Sequence, residues 1–180
     1  MDETILDAAG HVLAELGVAG FSVDAVAARA GVGKATIYRR WASRGELLLE
    51  TAQMAVIELP DPDTGQLRED LVQLLSGLAT KMRDTPAGQM LPAVAAEGAV
   101  NLKMRETLAA FVEQRRQRSI KAVTRGMERG DLPADTDPDL VVDLITGPIL
   151  VRTFLTQMPI DESLVHRTVD AVLDGLRPRP

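Results

Sequence analysis

The chain has 180 residues, 46% of them hydrophobic and 26% charged, with 20 Lys and Arg against 26 Asp and Glu for a formal net charge of −6. This is the balance of a globular protein with a proper core, of one large domain or two small ones. The absence of cysteine excludes disulfides, thiolate zinc sites and thiol catalysis, and no apolar run approaches the ~18 residues that would suggest a bilayer span. The acidic opening M-D-E-T-I-L-D does not read as a signal peptide, so a cytoplasmic location is expected. Aromatic residues make up only 3%, which leaves little for base stacking, and the low pI argues against nucleic-acid binding by the bulk surface while permitting a local basic patch.

No segment alternates as a strand does; apolar residues recur every three or four positions, so the fold class is all-α with about nine helices. Ile5, Leu6, Ala9, Val12, Leu13 and Leu16 form one face of a first helix that stops near Gly17. Ser22 caps a second, with Phe21 and Val26 placed as a hydrophobic staple and Gly31 at its end. A short third helix runs from Gly33 or Lys34 to Arg40. Ser43-Arg44-Gly45-Glu46 has the form of a capping box and opens a fourth. The stretch E-L-P-D-P-D-T then marks a boundary. It divides residues 1–46, with a linking helix over 44–59, from residues 60–180. Further helices are expected from Asp63–Gln66 to about Arg83, from Thr85-Pro86 onward, from Asn101 to Arg129, from Asp137-Pro138 with a kink at Gly147-Pro148, and from Asp161 to the frayed tail R-P-R-P. The stretch from Gln89 to Val100, with Glu97 its one charge, is expected to be buried on most sides.

Residues 29–44, R-A-G-V-G-K-A-T-I-Y-R-R-W-A-S-R, carry Arg29, Lys34, Arg39, Arg40 and Arg44 and no acid of their own. Two short helices about a glycine-containing turn form the helix-turn-helix arrangement, whose second helix enters the major groove. Gly33, Ala35 and Thr36 are small enough for close backbone approach to DNA. Arg44, at the start of the next helix, is placed to meet a phosphate. Trp41 is expected to pack the small core rather than stack on a base.

The run F-S-V-D-A-V-A-A-R-A-G-V-G-K-A-T-I-Y-R-R-W-A-S-R-G-E-L-L resembles the DNA-binding signature of the TetR (tetracycline-repressor) family of transcriptional regulators. Ser22, Val26-Ala27, Ala30-Gly31-Val32, Thr36, Tyr38, Trp41, Ser43 and Leu47-Leu48 fall on its usual positions. Gly33 stands where a capping Ser is common, Ala35 where Gly is common, and Arg44-Gly45 where Lys and an acid are common. The resemblance implies that Lys34, Thr36, Tyr38, Arg40 and Arg44 touch DNA. Tyr38, Thr36 and Arg44 are assigned mainly to phosphates, Lys34 and Arg40 to guanine edges, and Arg39 to either. Ser22, Gly33 and Ala35 complete the candidate interface.

One short reading helix discriminates little, so a symmetric homodimer on palindromic double-stranded operator DNA is expected. Its interface is placed on the last two helices at Leu144, Ile145, Ile149, Val165, Val169, Val172 and Leu173, a placement the resemblance supports. The family also implies repression relieved by a small-molecule effector. Met54, Met82, Met90, Val94, Glu97, Met104 and Phe111 are the candidate lining, although plain core packing is the default for the methionines. A second basic run, Arg115, Arg116, Arg118, Lys121, Arg125 and Arg129, lies on one continuous helix without a turn and reads as a solvated face or a partner for acidic neighbours. His11 and His166 lack metal-ligand spacing, and no nucleophile–base set or phosphate loop is visible. No cofactor, metal, enzymatic activity or membrane partner is therefore expected. The alternative reading is a helical protein-interaction module that does not bind DNA.

Overall fold

Helix ends fall where side chains or glycines can take up the unpaired backbone groups. The computed structural model describes residues 2–54 and 61–176, apart from the side chains of 52–54, 86, 87, 89, 90, 93 and 97. Among the described residues the elements are α1 (Asp2–Gly20), α2 (Val23–Ala30), α3 (Lys34–Tyr38), α4 (Arg44–Met54), α5 (Leu67–Asp84), α6 (Pro86–Val100), α7 (Leu102–Arg129), α8 (Pro138–Val151), a π-helical turn (Arg152–Thr156) and α9 (Glu162–Leu176). There is no strand among them, and no helix is long and apolar enough to cross a membrane.

The caps anticipated from sequence are in place. The Ser22 hydroxyl accepts from the Ala25 amide, and Asp137 accepts from Asp139 and Leu140. Asp161 accepts from Leu164. Asn101, expected only as the start of a helix, also caps α7 by accepting from the Met104 amide. Each such cap is worth about 1 kcal/mol. Gly31 and Gly130 take the left-handed backbone, φ 67° and 83°, that lets α2 and α7 stop abruptly. Gly17 has φ 63°, so the expected stop is a break within α1, and the chain resumes helical turns to Gly20.

Two compact units divide the chain: 1–58 with 84–111, and 59–83 with 112–180. In the first, Ile5, Ala9, Val12 and Leu13 of α1 pack with Phe21, Val26, Ile37, Trp41, Leu47 and Leu48. Val94, Met104 and Phe111 join the same cluster, because α6 lies against α1 and α4. Two sequence expectations need correction here. Leu16 is exposed rather than part of the α1 face, beside the break at Gly17. The last turn of α6 is open, with Ala96 and Ala99 exposed and Val100 88% exposed, so an uncharged composition was no guide to burial on that side.

In the second unit, Leu71, Leu74 and Leu75 of α5 meet Ala122 and Val123 of α7, Val141, Ile145 and Ile149 of α8, and Val165 and Val169 of α9. Gly126 permits this closeness, since a Cβ there would lie 2.7 Å from Leu67 Cδ2. Three members of the second basic run are tied to carboxylates. Arg116 pairs with Asp139 and Asp143, Arg125 with Asp61 and Asp63, and Arg129 with Asp63, Asp131 and the fully buried Asp70.

Candidate nucleic-acid interface

The helix α3, five residues long, buries one side chain. Ile37 is completely buried beneath α3 and anchors it to the α1–α2–α4 core, while Lys34, Ala35, Tyr38, Arg39 and Arg40 are exposed and Thr36 is half-buried. Gly33 caps α3 through its backbone alone, accepting from the Thr36 amide at 2.9 Å. The turn before it closes by a bond from the Val32 amide to the Ala27 carbonyl. Ser22, half-buried, starts α2, and Trp41, fully buried, donates its indole N–H to Glu50 at 2.7 Å. Trp41 thus packs the core, as its place in the sequence suggested.

The local charge count, however, gave the wrong picture of this surface. Arg29, Lys34 and Arg40 are each met by a carboxylate from outside the stretch. Arg29 forks onto Glu15 at 2.5 and 2.8 Å. Lys34 contacts Asp24, and Arg40 Nε lies 3.4 Å from Asp2. Hydrogen bonding to Glu15 raises the pKa of Arg29 and holds that of Glu15 below the usual carboxylate range; bonding to Asp24 raises that of Lys34. Arg39 has only a 3.5 Å contact with the Thr36 hydroxyl and no ion pair among the described residues. These carboxylates were invisible to a reading of residues 29–44, because they come from helices α1 and α2. The ten-residue step from Asp24 across the turn to Lys34 was the one available signal.

Arg44 does something different again. Its guanidinium donates to the Phe21 carbonyl at 2.7 Å and to the Val18 carbonyl, and it sits 5.9 Å from the centre of the Phe21 ring. It therefore fastens the end of α1 to the start of α4. Beside it, Ser43 and Glu46 form the capping box: the Glu46 amide donates to the Ser43 hydroxyl, and the Glu46 carboxylate accepts from the Ala42 amide. Lys103, in the first turn of α7, reaches the same carboxylate at 3.1 Å.

Of the candidate effector lining, Val94, Met104 and Phe111 lie together in the first unit's core, and Met82 packs against the core of the second. The side chains of Met54, Met90 and Glu97 lie outside those described. Of the candidate dimer residues, Ile145, Ile149, Val165 and Val169 are sealed within their own unit, and Val172 and Leu173 are half-buried. Leu144 is 46% exposed, on an outward face of α8 that also carries Leu140, and Leu155, in the π-helical turn, is 77% exposed. No group of residues able to hold a metal ion occurs among the described residues.

A family model described as "Bacterial regulatory proteins, tetR family" matches residues 5–51. One described as "Tetracyclin repressor-like, C-terminal domain" matches residues 61–172. The chain is 32% identical over 176 residues to the HTH-type transcriptional regulator AqdR of Rhodococcus erythropolis, covering 96% of this chain and 84% of that one. Its fold is similar to that of the TetR family transcription regulator SCO0332, with a TM-score of 0.79, 28% identity and 98% of each chain covered. It is also similar to that of FadR from Bacillus subtilis, solved in complex with stearoyl-CoA, with a TM-score of 0.72, 19% identity, and 97% and 99% of the two chains covered.

Proposed function

The chain belongs to the TetR family of bacterial regulatory proteins, and from that premise we propose that it is a homodimeric repressor which occupies a palindromic operator through α3 and leaves it when a small molecule binds. The family consists of DNA-binding transcriptional regulators rather than enzymes. Residues 1–46 are the reading part, 44–59 the link, of which residues 55–59 lie outside the described residues, and 60–180 the regulatory and dimerising part. The observation that carries the reading is the outward presentation of α3. Lys34, Tyr38, Arg39 and Arg40 face solvent around a single buried anchor, Ile37.

Lys34 and Arg40 are assigned to guanine O6 and N7, and Thr36, Tyr38 and Arg39 to phosphates, with Ser22, Gly33 and Ala35 allowing close approach. A two-fold dimer places its two α3 helices one helical turn apart, about 34–36 Å, or a multiple of it. Leu140 and Leu144 of α8 are apolar and exposed, and α8 and α9 are the proposed meeting surface. The effector is proposed to enter among Val94, Met104 and Phe111. Displacing α6 there acts on α4, against which it packs and whose Glu46 is paired with Lys103. A coupling of about 1–3 kcal/mol would relax affinity about 5–150-fold.

The test is footprinting on DNA flanking the protein's own coding region, followed by titration against salt. If Lys34, Arg39 and Arg40 of each subunit all displace counterions on reaching the duplex, whether they end on a phosphate or a base edge, the six cations of the dimer give a log–log slope of about −5. Arg40→Ala then weakens specific binding more than Arg118→Ala does. A flat salt response, or equal effects of the two substitutions, rejects α3 as the reading element.

A further inference from the structure

A surface built to attract phosphate ought to present free cations, yet two of the three on α3 and its end are already held. Lys34, the first residue of α3, contacts Asp24 of α2, and Arg40 lies 3.4 Å from Asp2 of α1. All four side chains are more than half exposed. Neither carboxylate is explained by packing, since neither is buried. Asp24 and Asp2 do lie in the first turns of α2 and α1, where an acid favours the helix dipole, but that role requires no contact with Lys34 or Arg40. A carboxylate is the intramolecular chemical equivalent of a phosphate oxygen: a single negative acceptor at the reach of one ammonium or guanidinium group.

We propose that Asp24 and Asp2 are affinity-setting residues, built-in competitors that occupy Lys34 and Arg40 until DNA phosphate or a guanine edge displaces them. This rests on the reading of α3 as the DNA-contacting element. Each cation must exchange one anionic partner for another when DNA arrives, so its gain is the difference between the two interactions. The exchange is required on every sequence, which lowers binding to the large excess of non-operator DNA. Arg39, with no carboxylate of its own among the described residues, remains available for the first encounter.

Exposed ion pairs of this kind are weak, so releasing one should raise affinity by no more than about fivefold per half-site. The test uses the full-length protein and a fluorescent duplex of random sequence about three helical turns long at low salt, read by anisotropy. The set is wild type, Asp24→Asn, Lys34→Ala and the double variant, with Asp2→Asn as a second arm judged against Arg40→Ala. Circular dichroism melts show that each variant is folded, and Asp24→Ser, which keeps a residue tolerated in a first turn, serves if Asn disturbs α2.

The expected result is tighter binding by Asp24→Asn than by wild type, with that gain absent once Lys34 is Ala. A gain of equal size in the Lys34→Ala background would mean that Asp24 acts only by its charge near DNA, and would overturn the proposal. So would unchanged or weaker binding by both carboxylate variants while wild type binds normally. If wild type fails to bind the duplex at all, the assignment of α3 to DNA falls first and this inference falls with it.

Discussion

Arg44 offers the sharpest test of how its neighbourhood works, because its two roles make opposite predictions for Lys. In the structure it donates to the Phe21 and Val18 carbonyls and stacks near the Phe21 ring, so a planar fork spans the end of α1 and the start of α4. Charge-assisted hydrogen bonds contribute about 1.5–3 kcal/mol each when well buried. Arg44 is half-buried, so about 1 kcal/mol per bond is the appropriate end of that scale. The ring contact adds about 0.5 kcal/mol. Arg44→Ala should therefore cost about 2–3 kcal/mol, or about 5–10 °C in Tm for a chain of this size. Arg44→Lys keeps the charge but loses the fork, and should recover less than half of that loss. Measured on fully folded protein, the salt slope of DNA binding should be unchanged by either substitution. The reasoning is refuted if Arg44→Ala melts like wild type, or if it lowers the slope by about two per dimer while Arg44→Lys restores it. That outcome would make Arg44 the phosphate contact expected from its place in the sequence.

The remaining predictions concern packing and pH. Leu144→Glu should leave each protomer folded but shift the protein toward monomer in light scattering, whereas Ile145→Glu, one residue on and 1% exposed, should abolish the folded state by burying an unpaired charge. A folded, dimeric Leu144→Glu variant would remove the outward face of α8 from the interface. Glu15→Gln should lower Tm at neutral pH by breaking the fork with Arg29. Because Arg29 depresses the folded-state pKa of Glu15, the wild-type advantage is complete above the ordinary carboxylate value of about 4.3 and is lost as pH falls through the lower folded value. The melting temperatures of the two proteins should converge in acid, and a difference constant with pH would exclude ionised Glu15 as its source.

How much of the site was legible in sequence depended on the range of the interaction that sets it. Ser22, Gly31, Ser43, Glu46, Asp137 and Asp161 act on backbone groups within a few residues, and their helix ends were readable in order along the chain. The period of three to four likewise identified Ile5, Ala9 and Val12 as a core face, and the exposure of α3 around Ile37 followed from the turn before it. The same period could not say which apolar residues of α8 serve the protomer and which remain outside. Ile145 and Ile149 are sealed in the core, while their neighbour Leu144 is not.

Sequence by itself determined that this is a helical protein with a helix-turn-helix near its start, because periodicity, caps and turn glycines are local and additive. Only the tertiary structure decided the electrostatics of α3. Asp2, Glu15 and Asp24 reach Arg40, Arg29 and Lys34 through space, and Arg44 turns inward to carbonyls at the end of α1. Coulomb attraction acts on distance in space rather than separation along the chain, so a run of residues that looks uncompensated in print can be largely paired once the helices around it are in place.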